Sequence, residues 1–293
     1  MKTPLFRGTC TALVTPFCES GIDYTALDRL LDRQLEAGVE ALVICGTTGE
    51  AVTLEQSETL ALIAHCVRYC GGKTKLIAGT GGNNTKKAAE TAKAAAALGV
   101  DGLLSVTPYY NKCTQEGLLS HYSAISEAVD LPVILYNVPA RTHVDIQPET
   151  CARLAQLPNV SGIKEANPDV ARVLALRQKC GTDFPIYCGN DDRILPFMAC
   201  GAIGVISVLS NLRPAVVKEL TNACLRGEFA RALTIQQNQQ PLIDALFSQV
   251  NPIPIKAALC LSGMDVGICR LPLTPPTEEL LERLRSVLAL WED

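Results

Sequence analysis

Histidine, clustered basic charge and long apolar runs are scarce in this sequence, and each shortage narrows what the chain can be. Three histidines (His65, His121, His143) stand far apart in 293 residues, and none of the thirteen cysteines forms a C-x-x-C pair. That spacing argues against a structural zinc site, and no metal is expected. The cysteines are odd in number and scattered, with Cys45 in an expected strand and Cys151 in an expected helix. A disulfide framework fits them poorly, whereas the reduced thiols of a cytoplasmic enzyme fit well. Net charge is −4 with both signs interspersed. Without a basic stripe or an aromatic-basic ladder, no nucleic-acid partner is expected. Met1 to Pro16 has no charged segment leading into a long apolar run, and no apolar stretch approaches a membrane span. We therefore expect neither a signal peptide nor an anchor.

What the sequence has is alternation. Short β-rich segments recur, nearly all followed by a helical pattern. The strands are expected at Gly8–Thr15, Ala41–Cys45, Lys75–Gly79, Gly102–Val106, Pro132–Pro139, Val160–Ala166, Phe184–Gly189 and Gly204–Val208. Leu27, Leu30, Leu31 and Leu35 give Tyr24–Ala37 the spacing of an amphipathic helix, ended by Gly38. Eight such units over roughly 210 residues are what an α/β fold of the (β/α)8 TIM-barrel type needs. A doubly wound open sheet is the alternative, but the glycine fingerprint it usually carries after its first strand is missing. Beyond Asn211 only helical patterns remain. The expected division is a catalytic barrel over residues 1–228 and a C-terminal helical extension over 229–293.

In such a barrel the active site is built where the strands end. The sixth segment ends in Gly162-Ile163-Lys164-Glu165. A lysine at a strand's end can snorkel to solvent, or it can enter a pocket and serve as a nucleophile. Tyr136 sits near the end of the preceding strand, so in a parallel sheet the phenol and the amine face the same end. The strand of Tyr136 also delivers Arg141 to that face, and other strands deliver Thr47, Thr48, Tyr109, Tyr110 and Ile206. The turn Gly46-Thr47-Thr48-Gly49-Glu50 reads equally as a capped connection or as a carboxylate-binding loop. Gly79-Thr80-Gly81-Gly82-Asn83 lacks the Lys-Ser/Thr of a P-loop and reads as a packing turn. Asn251-Pro252-Ile253-Pro254 reads as a helix-breaking linker.

The segments G-T-T-G-E, P-Y-Y-N, Y-N-V-P-A-R-T and G-I-K-E, in that order, resemble the pyruvate-dependent class I aldolase family. The resemblance runs the whole length, including N-P-I-P-I-K and R-L-P-L-T-P near the C-terminus. The tyrosine pair and Arg141 separate it from the sialic-acid lyase branch. It implies that Lys164 forms a Schiff base with pyruvate, with no other cofactor. It further implies that Tyr136 carries protons through Thr47 to Tyr110, the latter donated across a tight dimer interface. Thr48 would hold the pyruvate carboxylate, Ile206 and Gly189 would line the substrate site, and Arg141 would receive the carboxylate of L-aspartate 4-semialdehyde. The family is typically a homotetramer, a dimer of tight dimers. An aldolase acting on N-acetylneuraminate or a 2-oxo-3-deoxy sugar acid remains the alternative, as does a barrel that only binds an oxo-acid. Lysine-inhibited members use a Ser, two His and a Glu beside an Asn and a Tyr. Here Asn83 and Tyr109 stand, but Ala51, Gln56, Thr59 and Lys87 replace the others, so insensitivity to lysine is expected.

Overall fold

The structure is a computed structural model that describes residues 3–291. Eight parallel strands close into a barrel: β1 (Gly8–Ala12), β2 (Ala41–Ile44), β3 (Lys75–Gly79), β4 (Gly102–Val106), β5 (Val133–Asn137), β6 (Val160–Glu165), β7 (Ile186–Cys188) and β8 (Gly204–Ser207). Each pairs with its sequence neighbour, and β1 pairs with β8 to close the ring. Strands covered on both faces need apolar side chains on both, which is why these segments read as runs rather than alternations. Cys10, Val43, Ile77, Ile134 and Ile206 fill the barrel. Leu42, Leu103, Leu135 and Ile163 point the other way, into the layer beneath the helices. Phe6 stacks on Tyr187 at 4.3 Å, and the Tyr187 hydroxyl donates to the Phe6 carbonyl at 3.0 Å.

The helices that follow the strands are α1 (Tyr24–Ala37), α2 (Gln56–Cys70), α3 (Thr85–Ala97), α4 (Gln115–Glu127), α5 (Pro148–Leu154), α6 (Ala171–Cys180), α7 (Ile194–Ala199) and α8 (Pro214–Leu225). Local chemistry sets their ends. Asp23 caps α1 by accepting from the Ala26 amide at 2.9 Å, and Gly38 ends it at φ 64°. Glu55 and Glu58 form a reciprocal capping box at the start of α2. The Gly79–Asn83 stretch is a packing turn, as expected. A Cβ at Gly79 would lie 2.0 Å from the Cys45 carbonyl oxygen, and one at Gly81 2.2 Å from the Val106 nitrogen.

Three further helices, α9 (Phe229–Leu246), α10 (Ile253–Leu261) and α11 (Glu278–Leu288), make up the C-terminal part. Their Leu242, Ile255, Leu259 and Leu284 belong to the same apolar layer as the barrel helices. Among the described residues no helix is long and apolar enough to cross a membrane.

Two departures from the sequence reading concern turns. A two-stranded hairpin, Phe17–Cys18 with Gly21–Ile22, follows β1 and is too short for a periodicity to mark. Asn251-Pro252-Ile253-Pro254 is not a linker: α10 already begins at Ile253, with a proline in its first turn. The first-turn amides have no partner inside a helix, so proline costs nothing there.

Candidate active site

β5 and β6 pair so that Tyr136 stands opposite Lys164 and Asn137 opposite Glu165. Because successive side chains alternate, this register sends Tyr136 and Lys164 into the barrel, and Asn137 and Glu165 out of it. Lys164 is 6% exposed, and its Nζ lies 4.2 Å from the centroid of the Tyr136 ring. The ring face attracts the ammonium. Among the described residues no carboxylate lies within ion-pair distance of it.

Behind this pair the outward residues form a polar network. Asn137 Nδ2 donates to both Glu165 oxygens at 2.9 and 3.1 Å and to Asp145 Oδ1 at 2.8 Å. Arg172 bonds Asp145 at 3.1 Å and lies 3.6 Å from Glu165. Burial nevertheless wins at Glu165. Its pKa rises to about 7, against the opposing pull of the Asn167 amide, Arg172 and Asn137. Pinning these residues pins their inward neighbours too.

The loops at the C-terminal end add the rim. Thr47, Tyr109, Tyr136, Arg141 and Thr142 line a cavity of about 230 Å³. Thr48 is buried, and its hydroxyl accepts from Asn251 Nδ2 at 2.9 Å. The Asn251 carbonyl accepts from Arg141 Nη2 at 3.2 Å. Ile206 is fully buried inside the barrel. Gly189 follows β7 where a Cβ would come 2.8 Å from that of Ala166, so only glycine lets these ends pack. Tyr110 is 92% exposed and lies at φ 70°; it does not line this cavity, and neither do the buried Lys164, Thr48 and Ile206 or Gly189. Cys45, Glu50, Tyr110 and His143 all adopt left-handed conformations on rim loops. Such strain persists only where surrounding contacts enforce it. A second cavity, of about 490 Å³, brings together Ala51, Gln56, Thr59, Asn83, Lys87 and Tyr109.

Sequence reasoning missed several residues that build this rim. Glu50 is buried and accepts from Lys256 Nζ at 2.9 Å and from the Arg270 amide at 2.8 Å. The Arg270 guanidinium grips Glu58 with bonds of 2.6 and 2.7 Å, holding that carboxyl down to about 2. Phe17 faces both cations, with Lys256 at 4.4 Å and Arg270 at 4.2 Å. Asn251, Lys256 and Arg270 lie in the N-P-I-P-I-K and R-L-P-L-T-P segments, which were visible as motifs but carried no assigned contact.

A buried lysine among polar rim residues at the C-terminal mouth of a closed (β/α)8 barrel defines a TIM-barrel enzyme. More narrowly, the chain belongs to the dihydrodipicolinate synthetase family, whose model matches residues 5–290. It is 48% identical over 287 residues to the 4-hydroxy-tetrahydrodipicolinate synthase of Exiguobacterium sibiricum, covering 96% of this chain and 98% of that protein. The dihydrodipicolinate synthase of Aquifex aeolicus superposes with a TM-score of 0.96 at 42% identity, covering 98% of each chain. A monomeric dihydrodipicolinate synthase variant does so with a TM-score of 0.95 at 45% identity, covering 97% of this chain and 96% of its own. The chain is an enzyme of this family.

Proposed function

We propose that this enzyme condenses pyruvate with L-aspartate 4-semialdehyde to 4-hydroxy-tetrahydrodipicolinate, the first committed step of lysine biosynthesis via diaminopimelate. The observation that carries the reading is the Lys164 amine 4.2 Å over the Tyr136 ring on paired strand ends. Lys164 attacks the ketone carbon, and loss of water leaves an iminium that draws electrons from the methyl group. Tyr136 takes the methyl proton, and the enamine adds to the aldehyde. The substrate's own amine then displaces Lys164 and closes the ring. Thr48 holds the pyruvate carboxylate, with Ile206 and Gly189 along the same site. Arg141 receives the carboxylate of the second substrate.

Thr47 and Tyr110 complete the proton path, with Tyr110 reaching a neighbouring chain's site in a homotetramer built from tight dimers. The exposure of Tyr110 supports that reading. The barrel of residues 1–228 carries the chemistry, and residues 229–293 form its helical extension. The enzyme works in the cytoplasm, and the covalent Schiff base is its only cofactor chemistry. A coupled assay with pyruvate and aspartate semialdehyde, run beside N-acetylneuraminate cleavage, tests the substrate. Turnover only of N-acetylneuraminate or of a 2-oxo-3-deoxy sugar acid would replace this reading with the sister activity.

The same reading makes the enzyme insensitive to lysine. Lys87 puts a cation in the second cavity where lysine-inhibited relatives offer a glutamate to the ligand's ammonium. Lys87, exposed in this chain, thus removes the ligand's charge partner and sets a like charge in its place, which weakens lysine binding. Millimolar lysine should leave the steady-state rate essentially unchanged; sub-millimolar partial inhibition in a steady-state titration would contradict this.

A further inference from the structure

We infer that Asn251, carried by the C-terminal part of the chain, is a positioning residue that ties the two carboxylate sites together. This rests on the proposed function, because it takes Thr48 and Arg141 as the residues that meet the two substrate carboxylates. The side-chain amide of Asn251 donates to Thr48 Oγ1 at 2.9 Å. A hydroxyl that accepts one bond is left with its own proton to give. The donation therefore turns the Thr48 proton toward a bound carboxylate and strengthens it as a donor, as bonds in a chain polarise one another. The Asn251 backbone carbonyl separately accepts from Arg141 Nη2 at 3.2 Å. One residue thus touches both sites through two different groups, the side chain for one and the main chain for the other.

Of the Asn251 amide only the nitrogen is bonded, since its Oδ1 is buried without a partner among the described residues. Asn251 is 8% exposed and precedes α10, whose Lys256 is locked to Glu50 at 2.9 Å by a buried ion pair. Glu50, itself left-handed at φ 54°, lies two residues after Thr48. The ion pair and the amide bond therefore fasten one short loop to one short helix start. The second part of the chain is, on this account, a component of substrate binding rather than a cover.

Because the two contacts use different groups, substitutions separate them. Asn251→Ala removes the side-chain donor and leaves the carbonyl to Arg141. The KM for pyruvate should rise roughly three- to tenfold, the span of one net hydrogen bond, while the KM for the aldehyde stays within about twofold. Asn251→Asp keeps the shape but presents an acceptor that takes the Thr48 proton and repels a carboxylate, so the pyruvate KM should rise further. In both variants saturating pyruvate with borohydride should still label Lys164, which shows that the fold and the nucleophile are intact. An unchanged pyruvate KM in both variants, with labelling intact, overturns the assignment. So does an unchanged KM in Asn251→Asp alone, since an amide turned the other way would accept from Thr48 and tolerate the exchange. Equal rises for both substrates overturn it as well. Absence of labelling in the unaltered enzyme overturns instead the aldolase reading on which it rests.

Discussion

Lys164 and Tyr136 stand on neighbouring strands whose register is set by backbone pairing, whereas Thr48 on a loop and Arg141 on the single helical turn Pro139–Thr142 are tied together by Asn251, 203 and 110 positions away. The inner pair needs nothing from the far end of the chain. Its geometry follows from the pleat and from the Glu165–Asn137 network on the opposite face of the same two strands. The rim has no such template. It depends on the Asn251 amide, the Lys256 side of a buried ion pair and the bidentate Arg270, all supplied by residues 251–270. The strands fix where bonds are made, and the loops with their distant partners fix what is held there.

The sharpest way to break this comparison is at Tyr110, which is 92% exposed in its own chain. If Tyr110 completes the site of a neighbour, Tyr110→Phe should lower kcat by a factor of about 10 to 10⁴, the range for a lost acid–base partner. Mixing that variant with Lys164→Ala should restore activity in hybrid dimers. No recovery after demonstrated subunit exchange would mean that Tyr110 acts within its own chain or not at all.

That contrast also explains how much was legible. The barrel, its eight strands and Lys164 with Tyr136 could be read because apolar runs and alternation are local signals. Glu165 beside Asn137 was hidden, because whether a strand-end carboxylate is buried depends on Arg172 of the next helix. Asn251 was hidden more deeply, since its prolines mark the first turn of a helix as readily as a break in one. Lys256 and Arg270 read as ordinary basic residues until the fold brought them to Glu50 and Phe17.

Next in size is the ion pair that holds the rim. Lys256→Met leaves Glu50 buried without its cation, and breaking a buried pair costs about 3–5 kcal/mol. Chemical denaturation should show that loss, with Lys256→Met/Glu50→Gln recovering part of it. A loss below about 1 kcal/mol, the scale of an exposed pair, would mean that the pair does not fasten the loop.

The smallest effect belongs to the strand side. Glu165 titrates near 7 in the folded chain against about 4.5 when free, so between these values the folded state binds more protons than the unfolded one. Its contribution to stability is therefore fully present below 4.5 and falls as pH rises toward 7. Glu165→Gln should flatten the decline of stability across that window, followed by denaturant midpoints at several pH values. An unchanged slope would place the Glu165 carboxylate in a wetter setting than its full burial implies.

The central claim is that the buried Lys164 amine over the Tyr136 ring is the group that binds pyruvate covalently. Borohydride reduction in the presence of pyruvate, followed by peptide mass analysis, tests it directly. The account predicts a pyruvate-derived mass increase on the peptide carrying Lys164, lost in a folded Lys164→Arg variant because a guanidinium stays protonated. Labelling on Lys256 or another lysine, or no labelling of the unaltered enzyme, would contradict it.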